Sequence, residues 1–347
     1  MSFSIAVLTE ASPREKRVAM VPAVAAQLEK LGAVFNAPLG EADLVLGVQA
    51  PSRAVVESMK PGAILVSFIH AQEQPELVEI LRLRRITAFA MERVPRISRA
   101  QSLDALSSQA ALGGYYAALL GATHLPRVVP RMTTAAGVLR PATALVMGLG
   151  VAGLQAIATL RRLGAMIEAY DVRPETKEEA ESLGAKFVAT GVDARGEGGY
   201  ARELTAEERE KVTAALTSHI QNADLIITAA AVPGRRAPRL ISLAQVAGMK
   251  PGAVIVDLGA EGGGNCEATR PGETITVEGR NAGEVTIVAP LNITSRLAEN
   301  ASELYAKNVF NLLKLMIADG QLRLDWTDEI VAQTALTHEG ELKTAGH

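Results

Sequence analysis

Cysteine, tryptophan and aromatic residues in general are what this 347-residue chain has least of: one Cys, one Trp and an aromatic fraction of 3%. The lone Cys266 excludes an internal disulfide framework and suits a reducing compartment. With no His or second Cys near it in sequence, it belongs to no metal-ligand pattern, and no metal site is expected. Few aromatics and a net charge of −3 leave no basic stripe interleaved with stacking residues, so nucleic acid is not an expected partner. The opening MSFSIAVLTEASPREKR reads as a short strand followed by charge, without a cleavable leader. A single uncharged run, Ala142 to Leu160, has the length of a membrane span, but glycines break it into a strand, a turn and a helix.

What the chain does have is a 48% apolar fraction, 30 glycines and enough length for two domains, a profile that fits a globular α/β protein. Ala144 to Arg173 is its most informative stretch. An apolar run to Met147 meets Gly148-Leu149-Gly150-Val151-Ala152-Gly153, continues as a helical pattern to Leu163, and re-enters an apolar run that stops at Asp171. Strand, G-x-G-x-x-G, helix, strand and an acidic residue about 20 positions on form the dinucleotide fingerprint. Gly148 permits the tight turn, Gly150 lets backbone approach a pyrophosphate at the helix N-terminus, and Gly153 allows close helix–strand packing. Asp171 suits a ribose diol and repels a 2′-phosphate, favouring NAD; Arg173 beside it is the residue that would accommodate NADP.

Strands are expected at Ser4–Thr9, Leu44–Val48, Ala63–Ile69 and Ile86–Ala90, with helices at Pro22–Leu31 and Gln74–Leu83. The basic run Arg14 to Arg17 reads on its own as a solvated loop. Arg93, Arg96 and Arg99 crowd a loop that passes Gln101 and Asp104 into a long helix from about Ser102 to Thr123; it is either a charged, capped loop or a ligand-facing one. Thr190 to Tyr200 is glycine-rich and polar, a plain connection or a lid. Asp224–Ala230 is an apolar strand ending in small residues before Val232-Pro233-Gly234, as a cofactor groove needs. Ala253–Leu258 and Glu284–Ala289 repeat that strand pattern, and a second long helix spans Asn300–Ala318.

On Lys16-Arg17-Val18-Ala19, the stretch PRISRAQSLDALSSQ from Pro95 to Gln109, the fingerprint GLGVAGLQAIAT, Asp171-Val172-Arg173, Gly198-Gly199-Tyr200 and Gly263-Gly264-Asn265-Cys266, the chain resembles the NAD(H)-binding component, domain I, of proton-translocating nicotinamide nucleotide transhydrogenase. That family is itself similar to alanine dehydrogenase. The resemblance implies two Rossmann-like α/β domains with parallel sheets, joined by two long helices across a cleft. Residues 1–110 plus about 298–347 would form the N-terminal-type domain and 111–297 the NAD-binding domain. It also implies that Arg96, Gln101 and Asp104 hold the nicotinamide and its ribose with Ser98 and Ser107. Gly150 and Val151 would meet the pyrophosphate, with Gly148 and Gly153 in the same cofactor-binding turn, and Asp171 the adenosine ribose, with Val172 and Arg173 alongside. Gly199 and Tyr200 would lie on a mobile loop, and Ala229 beside the cofactor.

In the alanine dehydrogenase comparison the substrate-carboxylate arginine matches Arg17 and the acid/base histidine matches His70. The lysine, however, falls at Gln49, and the aspartate at Glu261. An imine chemistry without that lysine is badly impaired, and Arg17 and His70 then read as residues of the fold. Hydride transfer between two nicotinamides needs positioning and water exclusion, not an acid or base, with Gln101 the leading positioning residue. The expectation is therefore a Re/Si-specific, proton-translocating transhydrogenase component: a cytoplasmic homodimer, peripheral on the inner face of the cell membrane. Its partners would be an NADP(H)-binding beta subunit and a membrane-spanning subunit, since the chain reaches His347 without a spanning helix. An alanine-type amino-acid dehydrogenase and a non-catalytic NAD-binding module are the alternatives.

Overall fold

The structure is a computed structural model that describes residues 2–196, 201–231 and 236–343. The chain divides into two compact units, Met1–Gln109 with Thr294–His347, and Ala110–Ile293. Gly199, Tyr200 and Val232-Pro233-Gly234 lie outside the described residues.

In the first unit β1 (Phe3–Val7), α1 (Pro22–Glu29), β2 (Ala33–Val34), β3 (Leu44–Leu46), α2 (Arg53–Ser58), β4 (Ile64–Ser67), α3 (Pro75–Leu83) and β5 (Thr87–Ala90) alternate, and β2-β1-β3-β4-β5 pair in parallel in that order. Leu44-Val45-Leu46 and Ile64-Leu65-Val66-Ser67 are buried at every position, as strands covered on both faces must be. One face carries Ile5, Leu28, Val66 and Tyr305, the other Val45, Leu65, Leu81 and Ile86.

A 3-10 turn at Ser98–Leu103 precedes α4 (Ala105–His124), which starts three residues later than its apolar spacing suggests. In the second unit an exposed hairpin, β6 (Met132–Thr134) and β7 (Gly137–Leu139), stands in the segment the sequence gives as loop. There follow β8 (Thr143–Met147), α5 (Val151–Arg162), β9 (Met166–Tyr170), α6 (Thr176–Ser182), β10 (Lys186–Phe187), α7 (Ala206–Asn222), β11 (Leu225–Thr228), α8 (Leu243–Ala247), β12 (Ala253–Asp257), β13 (Thr274–Glu278) and β14 (Glu284–Val288). Their order, β10-β9-β8-β11-β12-β14-β13, is the doubly wound Rossmann arrangement with one antiparallel edge strand, β13.

The chain then supplies the first unit with α9 (Ala298–Lys314), a small hairpin of β15 (Ile317–Ala318) and β16 (Gln321–Leu322), α10 (Glu329–Thr334), β17 (Ala335–His338) and β18 (Glu341–Leu342). The second long helix thus stops at Lys314 rather than Ala318. Asp319 and Gly320 both have positive φ, 52° and 72°, and turn the chain back as a hairpin. β17 adds antiparallel to β5 and closes that edge of the sheet. Among the described residues no helix is long and apolar enough to cross a membrane.

Candidate functional site

The fingerprint sits where β8 hands over to α5. Gly148 has φ +93°, and a Cβ there would meet the Ala230 nitrogen at 2.6 Å and the Ala229 carbonyl carbon at 2.8 Å. A Cβ on Gly153 would come within 1.9 Å of the Gly148 carbonyl oxygen. Both glycines are fixed by backbone contact, and Gly148 is the one that also requires the left-handed region. Gly150 differs: a Cβ there would meet nothing within 4 Å, so open space lies over the residue that caps α5. No side chain caps that helix, and its first turn holds no acidic residue. The orphan amides of its first turn and the positive end of its dipole suit an anion such as a phosphate.

Neighbouring elements hold this turn. The Ala229 amide donates to the Met147 carbonyl at 2.8 Å, bringing the small residues after β11 beside the turn after β8. Gly114 of α4 lies against the start of α5, where an added Cβ would stand 2.0 Å from the Ala152 carbonyl oxygen. Its part in seating the fingerprint is not evident from the motif; a Gly113-Gly114 pair inside a helical pattern is the signal that marks it.

Asp171, just beyond β9, is already engaged. It accepts the Leu149 amide at 2.7 Å and the Arg173 amide at 2.9 Å, and the Arg173 guanidinium bridges both its oxygens at 2.9 and 2.8 Å. This pairing raises the affinity of Arg173 for its proton, against the opposing effect of burial. Asp171 therefore ties the strand tip to the fingerprint backbone, and a ribose would share the carboxylate with Arg173. Val172 packs on the adjoining core, and its carbonyl accepts the Ala194 amide at 3.0 Å. At the end of β12, Asp257 is buried and accepts from Thr228, Gly259, Asn265, Cys266 and Thr269. It shapes the glycine-rich loop after β12. Cys266 is buried in that loop, and burial lifts its thiol to about 11, far from a reactive thiolate.

The arginine loop belongs to the first unit, and its arginines separate by role. Nε and Nη2 of Arg93 donate to the Gln333 and Lys343 carbonyls, and Arg99 pairs in a fork with Asp328, the cap of α10, at 2.7 and 2.8 Å. Both fasten the returning C-terminal segment, which removes them as ligand-facing candidates. Arg96, Ser98 and Gln101 are exposed on and before the 3-10 turn. Asp104 caps α4, accepting the Ser107 amide at 2.9 Å and the Ser107 hydroxyl at 2.6 Å. Those two residues hold each other and fix where the Gln101 turn ends.

Arg17 overturns the solvated-loop expectation for its segment. Glu15, Arg17 and Ala19 are buried while Arg14, Lys16 and Val18 face out, a period of two set by extended chain. The outward amides of Lys16 and Val18 donate to the Ser295 and Ser302 hydroxyls at 2.7 and 3.0 Å. Inside, Nε and Nη2 of Arg17 donate to the two Glu15 oxygens at 2.9 and 2.6 Å, and Nη1 donates to Gln109 at 2.9 Å. Gln49 donates to Glu15 at 2.7 Å. Burial pushes the Glu15 carboxyl up, but the Arg17 bonds outweigh it and bring it down to about 2. His70 is exposed with φ 51°, its ring stacked on Phe68 at 5.8 Å, and Glu261 of the second unit accepts the Asn292 amide at 2.6 Å.

Residues 33–113 match the family described as Alanine dehydrogenase/PNT, N-terminal domain, and residues 117–345 match Alanine dehydrogenase/PNT, C-terminal domain. A relative from Rhodospirillum rubrum, the first of the segments that make up an NAD(P) transhydrogenase subunit alpha, is 41% identical over 98% of this chain and 97% of its own length. The structure of a transhydrogenase from Sinorhizobium meliloti superposes with a TM-score of 0.86 at 40% identity, over 98% of this chain and 99% of that one. Alanine dehydrogenase of Mycobacterium tuberculosis is more distant, 31% identical over 77% of this chain and 75% of its own. With two Rossmann-like units and a dinucleotide fingerprint built as that fold requires, the chain belongs to the alanine dehydrogenase/PNT family.

Proposed function

We propose that this chain is the NAD(H)-binding component of a proton-translocating transhydrogenase, passing hydride between NAD(H) bound here and NADP(H) on a partner beta subunit. The supporting observation is likeness across 98% of the chain to a transhydrogenase alpha subunit together with a fingerprint turn that leaves open space over Gly150. The residues fit a dinucleotide: uncapped α5 amides for the pyrophosphate, Asp171 for the adenosine ribose, Ala229 as a small neighbour. Bound there, NAD(H) supplies the hydride carrier.

The chain's own residues then bind, orient and exclude water. Gly150 and Val151 take the pyrophosphate, in a cofactor-binding turn shaped by Gly148 and Gly153; Asp171, with Val172 and Arg173, takes the adenosine ribose. Arg96, Ser98 and Gln101 present polar groups to the nicotinamide end, Gln101 as the positioning residue, while Asp104 and Ser107 hold the turn that carries it. In this reading residues 111–297 are the NAD-binding domain, residues 1–110 with about 298–347 the other. No acid or base is required, since hydride passes between carbon centres.

The assembly we propose is a homodimer joined to a membrane-spanning subunit on the inner face of the membrane, with Re/Si-specific transfer. The exposed Met132, Val138 and Leu139 of the β6–β7 hairpin suit self-association. Mixing the chain with the NADP(H)-binding subunit and following reduction of an NADP analogue by NADH tests the proposal; no transfer with a competent partner would leave only a binding module. The alanine-type reading is disfavoured by Gln49 and by an Arg17 already engaged within the chain, and turnover of pyruvate and ammonium with NADH would restore it.

A further inference from the structure

In the second unit the strand order turns about between β8 and β11, and in such sheets each half takes one mononucleotide at the carboxyl ends of its strands. Asp171, just beyond β9, serves the half that takes the adenosine; the half of β11 and β12 is left for the nicotinamide mononucleotide. The wall on that side is the connection leaving β11, in which Ala229 and Ala230 are half-buried and Ala231 is exposed. Its later part, Ala237 to Ile241, is fastened by backbone to the loop after β12. The Ala237 amide donates to the Gly262 carbonyl at 2.9 Å, and the Leu240 and Ile241 amides donate to the Asn265 carbonyl at 2.7 and 3.1 Å. The earlier part is reached from that loop by a side chain: Nδ2 of Asn265 donates to the Ala230 and Pro238 carbonyls, both at 2.8 Å. The amide side of Ala230 lies against Gly148 of the fingerprint.

We propose that Asn265 is a positioning residue for the nicotinamide half of the cofactor: its carboxamide holds the Ala230 carbonyl and so sets the wall after β11 before NAD(H) binds. The inference rests on the NAD(H)-binding reading and adds to it a residue that acts from beneath the site. Asn265 is 0% exposed, so it works through Ala230 and not on a ligand. Both partners of Nδ2 are carbonyl oxygens, which only accept, so the orientation of the amide is fixed and both its N–H groups are used. Its Oδ1 packs against Gly259, where an added Cβ would meet it at 2.6 Å, and among the described residues nothing donates to it. A buried acceptor without a donor costs stability, so what this side chain contributes lies in its two donors. The loop that carries it is set in turn by Asp257, whose carboxylate accepts the Asn265 and Cys266 amides at 2.8 and 3.1 Å. A wall held in this way needs no ordering when the nicotinamide arrives, and affinity is gained by preorganisation.

Isothermal titration of the full-length chain alone, with NADH and separately with ADP-ribose, tells the two halves apart, because ADP-ribose lacks the nicotinamide. Wild type is expected to bind both. Asn265→Ala leaves the backbone ties of Ala237 to Ile241 in place and releases Ala230. It is expected to bind NADH at least about tenfold more weakly, while ADP-ribose stays within about twofold of wild type. A residue that only supported the fold would weaken both ligands alike. If Asn265→Ala is unfolded by circular dichroism, Asn265→Ser, which keeps a hydroxyl donor, is titrated in its place and is expected to show the same split. The proposal is overturned if NADH affinity is unchanged, if both ligands weaken equally, or if neither variant folds, since Asn265 would then hold the fold and not the wall. Wild type that binds neither ligand would instead overturn the NAD(H) reading, and the proposal with it.

Discussion

In the second unit the turn after β8 leaves the α5 amides uncapped, with open space above Gly150, whereas in the first unit the segment after β1 places Glu15 onto Arg17. Both units offer the same kind of place, the carboxyl ends of parallel strands. One is built from backbone that awaits an anion, the other from a side-chain cation that already has one. Fold alone therefore does not decide which crevice works; the state of satisfaction of its polar groups does. Breaking the second unit's crevice should cost cofactor, and breaking the first unit's should cost stability.

The largest expected effect is Gly153→Val. The atom met by the new Cβ is backbone at 1.9 Å, so nothing flexible can give way. NADH fluorescence titration should show a loss of affinity of at least about 100-fold, or ~2.7 kcal/mol, at the upper end of the ~1–3 kcal/mol typical of overpacking. Affinity close to wild type with a normal circular dichroism spectrum would break the contrast.

Next is Arg17→Leu, which takes the paired guanidinium from the buried Glu15 carboxylate and should lower urea stability by about 3–5 kcal/mol. Its pH signature is directional. Glu15 is lowered from 4.5 to about 2, so the stability it contributes is full above pH 4.5 and is lost as pH falls through about 2. The stability difference between wild type and Glu15→Gln should shrink over that window. Glu10, raised chiefly by burial, acts with the opposite sign: its contribution is full below 4.5 and is lost as pH rises. A difference independent of pH down to 2 would show that the Glu15–Arg17 pair is not what the carboxylate stabilises.

Smaller is Asp171→Ala, expected to weaken NADH about tenfold, or ~1.4 kcal/mol. The mutation also removes the carboxylate that repels a 2′-phosphate beside Arg173, so NADPH affinity should rise relative to NADH; an unchanged ratio between the two would remove Asp171 from cofactor choice. The smallest change in binding belongs to Gln101→Asn, which should leave NADH affinity within about twofold while slowing transfer to the partner about tenfold. Equal losses in both would count against a positioning role.

Much of the architecture was legible because it depends on local pattern. Strands β3, β4, β8 and β11 are apolar but for a single terminal Ser or Thr in the last three, and the fingerprint carries its own glycine spacing. The antiparallel closures were not legible. β17 pairs with β5 across some 250 residues, and the β15–β16 hairpin rests on positive φ at Asp319 and Gly320, which adds no hydrophobic period. The site divides the same way. Gly148, Gly150 and Gly153 act through backbone geometry that spacing encodes, but the charged runs do not announce partners. Arg93 and Arg99 turn to the C-terminal segment, and Arg17 turns inward to a glutamate two positions away. Only extended chain puts Glu15 and Arg17 on one face, and the sequence around them shows no strand to say so.

The most direct measurement is a transfer assay. The chain and the NADP(H)-binding subunit proposed as its partner are mixed with NADH and thionicotinamide-NADP, and reduction of the analogue is followed by absorbance. We predict saturable transfer that requires both proteins and falls away with Gly153→Val, and no oxidation of NADH by the chain alone with pyruvate and ammonium. Turnover of pyruvate and ammonium without the partner, together with no transfer in its presence, would contradict the account.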